Sequence, residues 1–454
     1  MDNSSSSKEP EYRATRRKLL RDAAAVGAAA AAPGFLAACG GSSRSSHGSL
    51  TFWEYKDPPG SDAWKFFQAA AQEFEKKTGI SVNIQFKSAE GIEQAVAAAA
   101  NAHKGFDALL WWSGPTVRNQ ASLGNVIPLG TRIPKSTWSH KMNLQSEQYQ
   151  GKQYAMTFVV DPYFLVYNRT ILKKAGVNPD NVFPPPDQNP PDWATFLNVC
   201  GRIKKNTHAA PLMWANKEGY FNEWYIYNLE GQSFDSTAEI ENINLGSGSW
   251  QNPNIHDALN AYKQLYEHGF FVEGGEVVPY EQHVRQLASG QAAMSVYFDM
   301  TGATAAAQKA FGNDAIGFTK VPAYRTDKGL YGHVCQEADS LYVASWTKKK
   351  HDAVKWIEFL VNVPEMNDLA KRTQQPEGDT RLNVSLFKNA GVRAVYKGAS
   401  EKNQVYPYDF ATQAQYSSLL QNTILFLKGQ WPPEKLTANW DDADKKYKQQ
   451  QQSG

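Results

Sequence analysis

Residues 50–86 read LTFWEYKDPPGSDAWKFFQAAAQEFEKKTGISVNIQF, and this stretch predicts the fold class. It begins with a short apolar run at 50–53, typical of a buried strand. From Asp62 apolar residues recur at helical spacing until Gly79, and residues 80–86 then alternate as in a half-buried strand. This strand, helix, strand order predicts an α/β fold with a parallel or mixed sheet.

The same alternation continues beyond this stretch. An Ala-rich helix is predicted at 92–101 and a buried strand at 108–112. A proline-rich connector at 183–191 precedes a region that is predicted to be mainly helical. The later predicted helices are 193–205, 221–229, 255–268, 350–361 and 416–427, and the later strands are 293–298, 315–321 and 341–344. Together these patterns predict two α/β lobes, with a chain that crosses between them more than once.

Composition excludes several classes of function. The 454 residues carry 47 basic and 45 acidic side chains, and residues 1–38 hold six of the bases and four of the acids, which leaves 41 of each. A neutral body argues against nucleic acid as a partner. Aromatic residues make up 12% of the chain, with 13 Trp and 21 Tyr, so we expect some rings to contact a ligand.

The N-terminus has the layout of an export signal. Arg16 and Arg17 lie in a basic segment that precedes an Ala-rich run, which is too short and too weakly apolar to span a bilayer. The paired arginines resemble a twin-arginine signal. Residues 36–40, LAACG, resemble a lipobox whose Cys39 carries lipid after cleavage. We therefore predict a signal peptide at 1–38, a flexible Ser- and Gly-rich tether at 39–48, and attachment to the outer face of the cell membrane.

Motifs for metal, nucleotide and hydrolase chemistry are missing from the sequence. The nine histidines are scattered, and there is no CxxC, GxxxxGK[ST], GxGxxG or GxSxG. We expect no metal and no cofactor. Cys200 and Cys335 could pair in an oxidising exterior, or Cys200 could be a small buried thiol on a helix, and the sequence leaves both open.

The order and spacing of eight short stretches resemble the extracellular solute-binding lipoproteins of ABC importers, of the carbohydrate-binding type similar to maltose-binding protein. These stretches are 50–53, 74–80, 106–112, 151–156, 167–169, 192–196, 290–294 and 348–360. The resemblance implies a two-lobed periplasmic-binding-protein fold of type II-like architecture, with a multi-strand hinge and a ligand cleft between the lobes. It implies lobe 1 at 49–160 plus 299–335, and lobe 2 at 161–298 plus 336–454.

The resemblance also implies function. Such proteins are not enzymes: they capture a solute, close, and deliver it to the permease subunits of an ABC importer. We expect a monomer that binds a sugar or oligosaccharide, with a polyol or a glycerol phosphodiester as other possible ligands. The alternative is a lipid-anchored carbohydrate-active enzyme, in which Asp161, Glu218 or Asp299 would supply an acid and nucleophile pair.

A sugar-binding site needs carboxylates or amides in the plane of the sugar ring, and aromatic rings over its faces. By resemblance Trp111 is a cleft ring and Trp112 a possible second one, although a regular strand would point one of them into the core. Asp161, followed by Tyr163, falls at a position where the family carries a ligand-binding acid. Its alternative is a solvated turn before Pro162.

The remaining candidates come from later segments. Glu218 and Tyr220 match the family's acid and aromatic sugar contacts, although Glu218 could instead complement a helix dipole. The other candidates by position are Trp224, Phe298, Asp299, Met300 and Arg381, where Phe298 or Met300 stands in place of a Trp that the family often has. Asp57 is a hydroxyl acceptor or a turn residue before two prolines.

Overall fold

β1 (Leu50–Glu54) and β2 (Val82–Phe86) are parallel neighbours, joined through the helix Asp62–Thr78. Ser61 caps this helix by accepting a hydrogen bond from the backbone N–H of Trp64 at 3.0 Å. The helix ends at Gly79, whose φ of 75° suits glycine because it has no Cβ. The predicted strand, helix, strand order of this region is confirmed.

The computed structural model describes residues 49–89, 91–245, 247–297, 300, 302–400, 404–405 and 411–453. The remaining strands in chain order are β3 (Ala108–Trp112), β4 (Gln148–Tyr149), β5 (Lys152–Gln153), β6 (Met156–Pro162), β7 (Phe164–Asn168), β8 (Ala210–Leu212), β9 (Ala292–Ser295), β10 (Ile316–Lys320), β11 (Val334–Val343) and β12 (Gln404–Val405). The predicted signal peptide and tether lie outside the described residues.

Helices connect these strands and cover the sheets. Besides Asp62–Thr78 they are Ile92–Ala102, Pro115–Ser122, Lys135–Trp138, Arg169–Lys174, Pro179–Val182, Trp193–Asn206, Tyr220–Glu230, Thr237–Asn244, Pro253–Glu267, His283–Ala288, Ala303–Phe311, Lys350–Leu360, Val363–Thr373, Ala390–Ser400, Gln413–Leu427 and Pro433–Ser453. Short 3₁₀ turns occur at Leu144–Glu147, Gly275–Val277, Tyr280–Gln282, Asn313–Ala315 and Val384–Leu386. No helix in the described part of the chain combines the length and the apolar character that crossing a bilayer requires.

Two sheets organise the fold. The first has the order β12-β11-β3-β1-β2, and β6 also pairs with β11; the second has the order β10-β7-β9-β8. β1, β2 and β3 are parallel, whereas β11 runs antiparallel to both β3 and β6. The predicted mixed α/β class is therefore confirmed.

At the crossing between β6 and β7, a single residue joins a strand of one sheet to a strand of the other. β6 belongs to the first sheet and β7 to the second, and Tyr163 alone separates them. The Tyr163 backbone N–H donates to the carbonyl of Cys335 at 2.8 Å, which ties this crossing to β11.

Strand pairing differs from the predicted lobe boundaries in two places. β10 lies within the segment predicted for lobe 1, yet it pairs with β7 in the second sheet. Most of β11 lies within the segment predicted for lobe 2, yet it pairs with β3 and β6 in the first sheet. An apolar strand pattern shows that a segment is buried but not which strand it pairs with.

Aromatic rings pack beside both sheets within one hydrophobic core. On the first sheet the Phe52 ring lies 5.4 Å from Phe67 and 5.8 Å from Trp356, centroid to centroid. Beside the second sheet the Trp214 ring stacks on Phe271 at 5.2 Å. All five of these rings are buried, so close packing holds them in place.

Candidate ligand-binding cleft

A cavity that is partly open to solvent lies where the carboxyl edge of the first sheet faces the helix Tyr220–Glu230. We call it the cleft cavity. Its lining residues are Tyr55, Lys56, Ala89, Trp112, Asp161, Tyr220, Glu223, Trp224, Tyr280, Tyr297, Glu337, Ala338, Asp339 and Tyr416. The set combines aromatic rings with carboxyl groups.

The first sheet places one group of these residues by its register. Asp339 of β11 lies opposite Trp112, the last residue of β3, and Glu337 lies opposite Asp161 near the end of β6. Parallel strands deliver their carboxyl ends to one edge of a sheet, where ligands bind in α/β proteins. The sheet thus brings residues from distant parts of the sequence to one wall of the cavity.

The turn after β1 adds Tyr55 and Lys56 to this wall. Glu54 is fully buried, and its Oε1 accepts hydrogen bonds from the backbone N–H groups of Lys56 and Asp57, both at 2.7 Å. Burial, followed by the charge of Asp57, raises the pKa of Glu54 well above its ordinary value. Glu54 therefore holds the backbone of the turn while Lys56 projects toward the cavity.

Lys56 forms an ion-pair cluster in the cavity. Its Nζ donates to Asp339 Oδ2 at 2.8 Å and also to Asp161. Burial would lower the pKa of Lys56, but these two carboxylates outweigh it and raise the pKa well above its ordinary value. The Tyr55 hydroxyl also donates to Asp339, and the Gln375 amide donates to Asp161 Oδ1 at 3.0 Å. The Lys56 ammonium group thus pairs with two carboxylates, and each of them also accepts a hydrogen bond from another side chain.

The facing wall comes from helical segments. Tyr220, Glu223 and Trp224 lie on one face of the helix Tyr220–Glu230, because residues three and four apart are neighbours on a helix. Tyr297, just after β9, stacks on Trp224 with a centroid distance of 4.0 Å and an interplanar angle of 4°. Tyr416, from the helix Gln413–Leu427, donates to Glu223 Oε2 at 2.7 Å.

Glu223 and Glu337 form a pair of neighbouring carboxyl groups. Burial raises the pKa of Glu223 to about 7. Burial, and then the charge of Glu223, raises the pKa of Glu337 well above its ordinary value. The two carboxyl groups are hydrogen-bonded to each other and burial favours the protonated form of each, so the pair can both donate and accept hydrogen bonds.

Aromatic rings line the space around these acids. The Trp112 ring lies 5.8 Å from Tyr55 and 6.4 Å from Tyr220, and Tyr220 lies 5.4 Å from Tyr280, between centroids. All three contacts are edge-to-face, and the Tyr280 ring also stacks on His283 with a centroid distance of 4.4 Å. Ring faces beside hydrogen-bonding carboxyls match the two surfaces of a saccharide, its C–H faces and its hydroxyl rim.

Four predicted site residues line the cleft cavity: Trp112, Asp161, Tyr220 and Trp224. Trp111 does not. It is 5% exposed and lines a separate cavity with the helices Ile92–Ala102 and Pro115–Ser122. Side chains alternate along a strand, so only one of the two tryptophans can face the cleft cavity.

Three other predicted residues act near the cavity without lining it. Glu218 Oε2 accepts a hydrogen bond from the backbone N–H of Tyr280 at 2.8 Å, so it orients a ring of the site. The backbone N–H of Met300 donates to Gln375 Oε1 at 2.8 Å. Tyr163 is buried, with its ring 6.4 Å from that of Tyr297.

The last predicted residues lie elsewhere. Asp57 is buried in the turn after β1. Arg381 donates to Asp379 at 2.7 and 2.9 Å and to the carbonyls of Ser136 and Thr137, so it connects two loops. The other predicted residues lie outside the described part of the chain: Phe298, Asp299, Cys39, Arg16 and Arg17.

The sequence analysis missed more than half of the lining. These residues are Tyr55, Lys56, Ala89, Glu223, Tyr280, Tyr297, Glu337, Ala338, Asp339 and Tyr416. The sequence could have indicated Glu223, because it follows Tyr220 by three residues and therefore lies on the same helix face. No local pattern marks Glu337 or Tyr416, because they reach the cavity only through long-range packing.

Cys200 and Cys335 are both free and buried, so the disulfide alternative is not realised. Cys335 Sγ donates instead to the carbonyl of Tyr227 at 3.6 Å. Burial raises the pKa of the Cys200 thiol well above its ordinary value. In the described part of the chain, no cluster of three or more His, Cys, Asp or Glu side chains could hold a metal ion.

Comparison with known proteins connects this geometry to a family. The family model described as bacterial extracellular solute-binding protein matches residues 69–380. The diacetylchitobiose-binding protein DasA of Streptomyces coelicolor is 23% identical over 453 residues, which covers 96% of this chain and 100% of DasA.

Solved structures show a similar fold. One, reported with xylan utilization by the thermophilic bacterium Caldanaerobius polysaccharolyticus, has a TM-score of 0.73 at 16% identity and covers 87% of this chain and 99% of its own. Another, a chitin oligosaccharide binding protein, has a TM-score of 0.71 at 18% identity and covers 87% of this chain and 98% of its own.

Proposed function

The chain belongs to the family of bacterial extracellular solute-binding proteins, and on this premise we propose that it captures a sugar or oligosaccharide in the cleft cavity for an ABC importer. Membership of this family places solute binding outside the cytoplasm. The captured solute would then pass to the permease subunits in the membrane.

The observation that carries this proposal is the composition of the cleft cavity. Half-buried rings such as Trp112 and Tyr220 offer faces for C–H surfaces, while Asp161, Asp339 and Glu223 offer oxygen atoms for hydroxyl groups. The ion pairs of Lys56 hold two of these acids in place before any ligand arrives. A preorganised polar site of this kind reduces the entropy that binding costs.

The names of two similar proteins suggest which saccharides to test first. DasA is a diacetylchitobiose-binding protein, and one structural neighbour is a chitin oligosaccharide binding protein. Both names denote oligosaccharides of amino sugars. We propose this class as the first group of candidates, ahead of neutral sugars, polyols and glycerol phosphodiesters.

A thermal-shift screen followed by calorimetry tests capture. A saccharide that binds only the folded protein raises the melting temperature, by a stabilisation of RT ln(1 + [L]/Kd). We expect at least one saccharide to do so and to be recovered unchanged by chromatography. Cleavage products would favour the alternative of a carbohydrate-active enzyme, and no shift across the panel would contradict saccharide capture.

We also propose that Cys39 anchors the protein to the membrane by lipid, after export that depends on Arg16 and Arg17. The order of basic residues, apolar run and lipobox supports this. Cys39→Ala should release the protein from the membrane fraction, whereas the matched control Cys200→Ala should stay bound. Retention of Cys39→Ala would contradict the anchor, and normal export after Arg16 and Arg17 are both changed to Lys would contradict the signal.

A further inference from the structure

We propose that Gln375 is a positioning residue of saccharide capture, because its side chain connects the two walls of the cleft cavity. It orients the Asp161 carboxylate on one wall, and it holds the segment after β9 that supplies Tyr297 to the other wall. This inference rests on the proposed function, because it concerns binding in the same cavity. Gln375 itself is not among the lining residues, so it acts through the groups that it holds.

The Gln375 side chain is buried, and both ends of its amide form hydrogen bonds. The residue is 1% exposed. Its Nε2 donates to Asp161 Oδ1 at 3.0 Å and to the carbonyl oxygen of Val160 at 3.3 Å. Its Oε1 accepts from the backbone N–H of Met300 at 2.8 Å. An ionised glutamate or a methionine at this position could not supply both the donor and the acceptor.

This connection spans the two sheets. Val160 and Asp161 belong to β6 of the first sheet, whereas Met300 follows β9 of the second sheet. Tyr297 precedes Met300 by three residues in the same segment, and its ring lines the cleft cavity. The Gln375 amide therefore joins a carboxylate of one wall to the backbone segment that carries an aromatic ring of the other wall.

The backbone around Gln375 is itself held in place. The helix Val363–Thr373 ends just before it, and the backbone N–H of Gln375 donates to Thr373 Oγ1 at 3.1 Å. Further along, the backbone N–H of Gly378 donates to the carbonyl oxygen of Phe158 in β6 at 2.9 Å. Supporting contacts of this kind keep a binding group in the geometry that the ligand requires.

The orientation of Asp161 depends on contacts at both of its oxygens. Oδ2 pairs with the Lys56 ammonium group, and Oδ1 accepts from Gln375. Loss of the Gln375 donor would allow the carboxylate to reorient, and ordering it again when a saccharide binds would reduce the affinity. We therefore expect substitutions at Gln375 to weaken binding by more than their effect on stability explains.

Two substitutions separate the two ends of the connection. Gln375→Glu keeps an acceptor for the Met300 N–H, but it removes the donor to Asp161 and places a second carboxyl group beside it. Gln375→Met removes the donor and the acceptor. Without saccharide, amide hydrogen exchange of Met300 should be slow in the unmodified protein and in Gln375→Glu, and at least about tenfold faster in Gln375→Met.

Calorimetry with N,N′-diacetylchitobiose, or with the saccharide of largest thermal shift if that disaccharide gives none, measures binding. Both Gln375 variants should bind at least about tenfold more weakly. Gln286→Met is the matched control, because Gln286 is 3% exposed and lies outside the cavity lining. Its side chain bonds the backbone N–H and carbonyl oxygen of Trp214, at 2.8 and 3.0 Å. The control should lose stability in thermal melts but keep its affinity.

The outcomes separate this inference from the proposed function. Unchanged affinity in both Gln375 variants would overturn the positioning role while saccharide capture stands. An equal loss of affinity in Gln286→Met would also overturn it, because affinity would then follow stability alone. Unchanged exchange of Met300 in Gln375→Met would contradict the connection between the walls, and this measurement needs no ligand. If no saccharide of the screen binds the unmodified protein, the proposed function and the positioning role both fail.

Discussion

Trp111 and Trp112 are consecutive residues of β3 with ring centroids 5.8 Å apart, yet they line different cavities. Trp112 faces the cleft cavity, and Trp111 faces a separate cavity beside the helix Pro115–Ser122. The pleat of the strand thus directs two adjacent residues of the same type to different cavities.

Trp112→Ala should weaken saccharide binding more than it weakens the fold. Its ring is half-buried, and loss of a stacked ring removes about 0.5–1.5 kcal/mol beyond area burial. Trp111→Ala is the matched control, because removal of a buried Trp costs about 3–5 kcal/mol of stability. Calorimetry and thermal melts on both variants check this, and the reverse pattern would contradict the assignment of the two rings.

β3 illustrates which features of the structure the sequence predicts and which it does not. The apolar run at 108–112 predicts β3 correctly, and alternation predicts that one tryptophan faces inward. Which one faces the cleft depends on register, because Asp339 of β11 pairs with Trp112. That pairing joins residues more than two hundred positions apart, so no local pattern reveals it.

Lys56→Met should destabilise the protein and abolish saccharide binding. The substitution leaves Asp161 and Asp339 without their shared cation, and breaking a buried pair costs about 3–5 kcal/mol. Lys65→Met is the control, because its pair with Asp62 is exposed and contributes at most about 1 kcal/mol. Equal losses in urea unfolding of the two variants would contradict the role of the Lys56 cluster.

Glu230→Gln should stabilise the protein at alkaline pH. Glu230 is fully buried, neither carboxyl oxygen accepts a hydrogen bond from the described residues, and burial raises its pKa to about 8. The folded state therefore keeps a proton that the unfolded state has lost. The free energy of unfolding consequently falls as the pH rises from the ordinary carboxyl range to about 8.

Urea unfolding at about pH 5 and about pH 8 measures this effect. Glutamine stays neutral, so the stability of Glu230→Gln relative to the unmodified protein should increase between the two pH values. Glu241→Gln, at an exposed position, serves as the control and should show little change. A relative stability of Glu230→Gln that does not depend on pH would contradict the burial of a protonated carboxyl.

Cys200 and Cys335 should be free thiols that react only after unfolding. Both are buried, and burial raises the pKa of each thiol. Iodoacetamide should label neither residue in the native protein and both in urea, as mass spectrometry of the peptides can show. Cross-linked peptides that contain both cysteines would demonstrate the disulfide instead.

Elements formed by local patterns were predicted well, whereas the site was predicted only in part. Ser61 and Gly79 mark the ends of a helix because caps are local chemistry. The cleft cavity combines side chains from separate elements, such as Lys56, Glu223 and Tyr416, and their proximity arises only when the sheet and the helices pack. Glu218, which the resemblance selects, accepts a hydrogen bond through Oε2 from the backbone N–H of Tyr280.

The most direct test of the account is a crystal structure of the protein with the saccharide that gives the largest thermal shift. The account predicts a sugar ring against Trp112 or Tyr220, with its polar groups within hydrogen-bond distance of Glu223, Glu337 or Asp339. A saccharide bound elsewhere, for instance in the surface groove beside Tyr167 and Phe318, with the cleft cavity left empty, would contradict it.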